Sequence, residues 1–180
     1  MFQPGLESIQ HCLQRQAVYL YGGKGFGKSY VLATLACFLV RTGTQVVYLS
    51  DCREWLFNPL NYLQAAVLFA FVNSSPSFRE EILSCNDIES LGNFCQQYRT
   101  YGQLCFIVNQ LNAMDPEPMG QDVVTNKKKD LHRNLLQRMS TAHILITSAS
   151  ANHKTFQYMA VRDTGERKVP LMGGMTSVKM

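Results

Sequence analysis

The sequence has no apolar run long enough to cross a bilayer, no recognisable signal peptide and no paired cysteine motif. Its longest apolar runs, residues 31–40 and 65–72, fall well short of the roughly 20 residues that a membrane helix needs. Residues 1–14 lack both a basic start and an apolar core, so they do not resemble a secretory leader. These absences predict a soluble, intracellular protein with no membrane partner.

Cysteine occurs six times, but no two cysteines have the spacing that zinc sites and thioredoxin-type redox sites require. Cys37 and Cys105 lie inside apolar runs, which favours buried free thiols over a disulfide framework. His132, His143 and His153 also lack the spacing of metal ligands, and we interpret them as structural. A zinc site and a disulfide-rich scaffold are therefore both disfavoured.

Charged residues are also few, at 17% of the chain, whereas 46% of the residues are hydrophobic. This balance predicts a globular domain with a real core, and we take residues 1–180 as one domain. The formal net charge of +4 suits an acidic ligand but is weak support for nucleic-acid binding. The tail 153–180 has no clear pattern and no recognisable boundary, as expected of a piece of a longer protein.

Short apolar segments alternate with amphipathic segments along the chain. This alternation predicts an α/β fold, a three-layer sandwich of P-loop NTPase type with a mostly parallel sheet and helices on both faces. The last helix carries Leu131, Leu135 and Met139 at helical spacing, with lysines and arginines on its other face. The predicted strands are 17–21, 45–50, 103–109 and 142–148, and the predicted helices are 29–41, 61–71, 87–99 and 127–140.

Residues 22–29 read GGKGFGKS and match the phosphate-loop pattern GxxxxGK[ST]. Glycines allow consecutive backbone N–H groups to turn inward around a phosphate, and the following helix directs its positive end at the same anion. Lys28 is expected to reach the β- and γ-phosphates, and Ser29 to ligate Mg²⁺. The predicted nucleotide-binding residues are Gly22, Gly23, Lys24, Gly25, Phe26, Gly27, Lys28, Ser29 and Tyr30.

A P-loop enzyme also needs an acidic residue at the end of a neighbouring apolar strand, where it holds the shell of the magnesium ion. The third strand ends instead in Asn109 and Gln110. An amide attracts Mg²⁺ weakly and cannot act as a general base at neutral pH. The sequence thus supports nucleotide binding more strongly than hydrolysis.

Other polar residues at strand ends are further candidates. Asp51 is either a metal ligand or the N-cap of the next segment. Asp115 either reaches back to the site or is a turn residue before Pro116. Ser148 either senses the terminal phosphate or serves capping and turn chemistry. The candidate catalytic residues are therefore Asn109, Gln110, Asp115 and Ser148, and the candidate metal ligands are Ser29 and Asp51.

Several segments together resemble the NTPase region of the Crinkler effectors of oomycetes and some fungi. They are YLYGGKGFGKSYVLATLACFLV, VVYLSDCREWL, FIVNQLNAMD, ITSASAN and TGERKVPLMGGM, and they span nearly the whole chain. The resemblance implies a secreted effector that enters host cells and accumulates in the host nucleus, with DNA as a proposed target. Relatives commonly carry an aspartate at the position of Asn109, and neither a targeting header nor a C-terminal nuclease is visible in this chain.

Three functions follow as hypotheses. The first is binding of ATP or GTP with Mg²⁺, with slow hydrolysis at most, in a Crinkler-like effector. The second is a non-hydrolysing module whose nucleotide state is read by a host protein, which the paired amides favour. The third is a DNA-binding fragment that docks through the basic helix, with the lysines at 127–129 on the phosphates. No base-specific motif separates ATP from GTP.

Overall fold

The computed structural model describes residues 17–22, 27–115 and 124–149, together with the backbone of 167–170. The described segments form an α/β fold whose strands all run parallel. The strands are β1 (Ala17–Tyr21), β2 (Gln45–Leu49), β3 (Leu104–Val108), β4 (Ile144–Ser148) and β5 (Arg167–Pro170). The helices are α1 (Lys28–Arg41), α2 (Cys52–Phe57), α3 (Pro59–Ala70), α4 (Pro76–Ser84), α5 (Ile88–Tyr98) and α6 (Asn126–Ser140), with a 3₁₀ turn at Leu111–Met114.

The strands lie in the order β2-β3-β4-β1-β5. Their register is close to flush, since Leu49 pairs with Val108 and Leu20 pairs with Ser148. The order places β4 between β1 and β3, so residues that follow these three strands meet at one edge of the sheet. We call this edge, formed by the carboxyl ends of the strands, the carboxyl edge.

Each face of the sheet carries its own hydrophobic core. Successive side chains of β3 alternate between them, with Phe106 in one core and Ile107 in the other. One core contains residues of α1, and the other contains residues of α2 to α6 around Trp55. Because both of its faces are covered, β3 is buried over its full length, as its unbroken apolar sequence requires.

The predicted elements are largely confirmed within the described residues. The predicted helix 87–99 corresponds to α5, and its first residue, Asp87, is the N-cap. Three elements were not predicted: the helices α2 and α4, which are short, and the strand β5, whose sequence is not apolar. Short helices leave little periodicity to detect, and α2 and α4 are held mainly by packing against the larger core. None of the helices in the described part of the chain is long and apolar enough to pass through a bilayer.

Two predictions about burial were wrong. In α6 the buried face runs through Lys129, His132, Leu135 and Met139, while Leu131 is exposed. Lys129 can lie on this face because its Nζ reaches the carbonyl oxygen of Asp115, at 3.3 Å, which lets its stem pack inward. Cys37 is also exposed, since it lies on the outer face of α1, whereas Cys52, Cys95 and Cys105 are buried free thiols.

The structural interpretation of His143 is confirmed. Its Nε2 donates to the carbonyl oxygen of Cys95 at 2.8 Å, and its Nδ1 accepts from the N–H of Leu104 at 3.2 Å. One nitrogen must donate while the other accepts, so this arrangement requires the neutral ring. Burial lowers the pKa of His143, and the nearby Arg99 lowers it further, against the opposing effect of the bond to Cys95.

Acidification is therefore expected to weaken the fold. Because the folded pKa of His143 lies below its ordinary value of 6.5, the unfolded chain binds more protons than the folded chain between the two values. The contribution of neutral His143 to the free energy of unfolding is complete above pH 6.5 and is lost as the pH falls below it. Burial also lowers the pKa of His132, which acts in the same direction. Urea unfolding of the wild type and His143→Gln between pH 7.5 and 5 should show a steeper loss for the wild type. Equal slopes would rule out His143 as a source of the effect.

Candidate functional site

The carboxyl edge gathers the polar residues that follow the strands. Gly22 follows β1, Ser50 follows β2 and Asn109 follows β3, while Ser148 is the last residue of β4. Ser29, in the first turn of α1, lies against the same group. Residues from five separate parts of the chain are thus brought together, as expected when parallel strands end at one edge.

The two ends of the predicted phosphate loop lie within the described residues. Gly27 adopts the left-handed conformation, with φ 72° and ψ 19°, directly before α1. A Cβ would strain this backbone, which explains the glycine at this position. The other loop residues Gly23, Lys24, Gly25 and Phe26 lie outside the described residues, and their predicted role is not tested.

Lys28 spans the mouth of the loop. Its Nζ donates to the carbonyl oxygen of Gly22 at 2.8 Å, which joins the end of β1 to the start of α1. Burial lowers the pKa of Lys28, because part of the water around its ammonium group has been removed. A partly desolvated cation at a helix N-terminus is well suited to an anionic ligand. Tyr30, two residues further along the helix, is 73% exposed.

Asn109 is the centre of a hydrogen-bond cluster that we call the amide hub, formed by Asn109, Ser29, Ser50 and Ser148. The side-chain Nδ2 of Asn109 donates to the carbonyl oxygen of Ser50 and to the Oγ of Ser29, each at 3.0 Å. Its Oδ1 accepts from the Oγ of Ser148 at 2.8 Å and faces the Oγ of Ser29 at 3.3 Å. Asn109 is only 5% exposed and Ser148 1%, so both are sealed from solvent.

The amide hub explains why the strand ends in asparagine. The carbonyl oxygen of Ser50 can only accept, so the atom of residue 109 that faces it must be a donor. A carboxylate would place a charged oxygen about 3 Å from that carbonyl in a buried site, which is costly unless a cation lies nearby. The asparagine at position 109 therefore has a structural role that the sequence did not reveal, and its predicted catalytic role is not tested.

Gln110 is turned toward α2. Its Oε1 accepts from the Nε of Arg53 at 3.1 Å and from the Nη2 of Arg53 at 2.6 Å. The backbone of Gln110 is left-handed, with φ 57° and ψ 41°, a conformation that costs a non-glycine residue about 1 kcal/mol. Strained residues of this kind are frequent at functional sites. Gln110 thus holds an arginine beside the amide hub.

Asp51 is the N-cap of α2. Its Oδ1 accepts from the N–H of Arg53 at 2.8 Å, as one of the two sequence interpretations predicted. The hydroxyl of Tyr62, on α3, accepts from the N–H of Asp51 at 2.8 Å and lies 3.1 Å from the Oγ of Ser50. Tyr62 therefore holds the end of β2 in place, and with it the carbonyl that orients Asn109.

Asp115 is tied to α6. Its carboxylate accepts from the Nη2 of Arg133 at 3.1 Å, and the same guanidinium also donates to the carbonyl oxygen of Met114. Arg133 is further paired with Asp130 at 3.5 Å. The described bonds of the amide hub do not include Asp115. Because Arg133 is paired with Asp115 and Asp130, α6 offers fewer cations to a nucleic acid than the sequence of this helix suggests.

The side-chain oxygens at the carboxyl edge suit Mg²⁺ only if a bound phosphate supplies further ligands. Ser29 offers an exposed hydroxyl, and the Oδ1 of Asn109 is already engaged with Ser148. Across residues 17–22, 27–115 and 124–149, no three His, Cys, Asp or Glu side chains converge on a metal position. Mg²⁺ prefers carboxylate and phosphate oxygens, so most of its ligands would come from a nucleotide and from water.

A scan against protein-family models found no match for the chain, and a search of curated protein sequences found none either. The predicted residues Lys28, Ser29, Asn109 and Ser148 are brought together by the fold. The roles of Ser50, Tyr62 and Arg53 were not predicted from the sequence. Only the position of Arg53, four residues beyond the end of β2 and two after Asp51, offered a signal for it.

Proposed function

We propose that this chain is a nucleotide-binding module that holds the polyphosphate of ATP or GTP at the carboxyl edge. The proposal includes the three-layer P-loop NTPase architecture that the sequence pattern predicts. The observation that supports it most directly is the position of two consecutive residues. The Nζ of Lys28 bonds to Gly22 at the mouth of the loop, and the Oγ of the next residue, Ser29, bonds to Asn109 of the amide hub. Lys28 would neutralise the β- and γ-phosphates, and Ser29 would offer its hydroxyl to Mg²⁺.

Slow hydrolysis at most is part of the proposal. Mg²⁺, when bound with the nucleotide, would neutralise charge on the phosphates. The groups beside it would be the amides of Asn109 and Gln110, and neither can accept a proton from water at neutral pH. Gln110 is also engaged with Arg53. The described groups therefore suit holding a nucleotide better than activating water.

The resemblance to the Crinkler NTPase region supports a role as an effector that acts inside a host cell. On this proposal, the occupied and empty states of the module would be distinguished by a host protein or DNA. The secretion and nuclear localisation implied by the resemblance belong to the same proposal. DNA binding through α6 has less support, because Lys129 is buried and Arg133 is paired with Asp115.

Calorimetric titration of ATP, GTP, ADP and GDP, each with and without Mg²⁺, tests the proposal. We expect dissociation constants of about 1–100 µM for the triphosphates, and displacement by pyrophosphate but not by adenosine or guanosine. Phosphate release should stay below about 0.01 s⁻¹, the range of P-loop proteins without a complete catalytic set. Mg²⁺ alone should give no heat of binding.

Three results would contradict the proposal. Failure of all four nucleotides to bind at millimolar concentration would remove nucleotide binding altogether. Rapid phosphate release, at tens of turnovers per second, would show that the wild-type amides do not limit hydrolysis. Binding of adenosine, which carries no phosphate, would mean that the nucleoside and not the polyphosphate is recognised.

A further inference from the structure

Arg53 and Gln110 form a contact at the carboxyl edge that the proposed function does not use. The Oε1 of Gln110 receives two N–H groups of one guanidinium, and Gln110 directly follows Asn109 of the amide hub. The side chain of Arg53 is 66% exposed, so the guanidinium can leave Gln110 without crossing packed side chains. Both hydrogen bonds of this guanidinium to Gln110 therefore go to a neutral group, while the carboxylate of Asp51 lies 3.7 Å from its Nε.

We propose that Arg53 distinguishes nucleoside triphosphates from diphosphates, a role that rests on the proposed nucleotide binding. In the free protein its guanidinium is bonded to Gln110. When a triphosphate occupies the loop, the guanidinium moves to the terminal phosphate, and with a diphosphate it stays on Gln110.

The chemistry of the holding group supports this exchange. A guanidinium bonds to an anion about twice as strongly as to a neutral acceptor, and its planar fork matches two phosphate oxygens. The amide of Gln110 can therefore be outcompeted by a terminal phosphate. A glutamate at this position would form a charged pair with Arg53 and would resist the exchange. The amide at position 110 thereby gains a purpose other than a missing catalytic base.

The base of the Arg53 side chain is held while its tip is exposed. The backbone N–H of Arg53 is bonded to the Oδ1 of Asp51, at 2.8 Å, which fixes the first turn of α2 beside the end of β2. The Nε of Arg53 lies 3.7 Å from the same carboxylate oxygen, a contact that is weak at this exposure. The left-handed backbone of Gln110 keeps its side chain next to α2. The guanidinium can therefore exchange Gln110 for a phosphate by rotation of the Arg53 side chain, without a change in the backbone.

The test measures the ratio of the diphosphate to the triphosphate dissociation constant, using ADP and a non-hydrolysable β,γ-imido analogue of ATP. Arg53→Gln should reduce this ratio about tenfold, through weaker triphosphate binding, and should leave ADP binding unchanged. Gln110→Glu should reduce the ratio in the same way, because the new carboxylate retains the guanidinium. Gln110→Ala should keep or raise it, because Arg53 is then released.

Arg99→Gln is the matched control, since Arg99 is an exposed arginine beside Tyr98, whose hydroxyl bonds Gln45 at the opposite edge of the sheet. An unchanged ratio in Arg53→Gln would overturn the inference. If ADP and the analogue still bind Arg53→Gln with wild-type affinity, the proposed nucleotide site itself stands. If the wild type binds neither nucleotide, both proposals fail. A lower ratio in Gln110→Ala would also overturn the inference, because it would make Gln110 itself the phosphate contact.

Discussion

Replacing Asn109 with aspartate is expected to lower the free energy of unfolding by about 2–3 kcal/mol at pH 7. The change removes the donor that faces the carbonyl oxygen of Ser50, and it also removes the donor to Ser29. It places a negative charge in a site where residue 109 is only 5% exposed. The described contacts of the amide hub contain no cation that could compensate this charge, so the cost falls on the folded state.

The pH dependence separates this effect from a simple loss of packing. Burial should raise the pKa of the introduced carboxyl above the usual value near 4, and its protonated form can again donate to Ser50. The deficit should therefore be largest at neutral pH and shrink as the pH falls toward 5. Asn109→Ala is the control, since its deficit relative to the wild type should not depend on pH. Urea unfolding of the three proteins between pH 8 and 5 is the measurement.

The same variant informs the proposed function. A carboxylate at position 109 would supply the charged group that Mg²⁺ prefers, so saturating magnesium and ATP should recover part of the lost stability. Phosphate release should rise by orders of magnitude without a loss of nucleotide affinity. A pH-independent deficit equal to that of Asn109→Ala would contradict the structural argument. Unchanged phosphate release, with nucleotide bound, would mean that residue 109 does not limit hydrolysis.

Replacing Lys28 with alanine is expected to weaken triphosphate binding about 100-fold. Two charge-assisted bonds to the β- and γ-phosphates would be lost, and at about 1.5 kcal/mol each, the lower end for bonds to charged groups, they account for roughly this factor. The free protein should lose only about 1 kcal/mol, because its ammonium group gives up one bond to the carbonyl oxygen of Gly22. Calorimetric titration with ATP, alongside urea unfolding, measures both effects.

Lys127→Ala is the control for this prediction, because Lys127 is an exposed lysine on α6. It removes the same charge from the protein, so a loss of long-range attraction alone would weaken binding equally in both variants. Equal affinities of wild type and Lys28→Ala would exclude the loop lysine from the binding site. A loss of several kcal/mol in the free Lys28→Ala protein would instead point to a structural role at the loop mouth.

The sequence predicted the parallel α/β fold from local patterns. The four strands β1 to β4 are short apolar runs, and such runs identify themselves without knowledge of their neighbours. The start of the predicted helix 87–99 was readable for the same reason, because Asp87 caps α5 through a bond to Ser90, a residue within one turn. The buried face of α6 was misread because Lys129 can enter it only when the carbonyl oxygen of Asp115 lies within reach of its ammonium group.

The phosphate-loop motif and the two amides after β3 were readable from the printed residues alone, because spacing along the chain defines them. Which way the amide of Asn109 would face depended on contacts between distant segments. Asn109 is 80 residues from Ser29 and 39 from Ser148, so no local pattern reports that they meet. That meeting, like the contact of Arg53 with Gln110, exists only because parallel strands bring their carboxyl ends to a single edge.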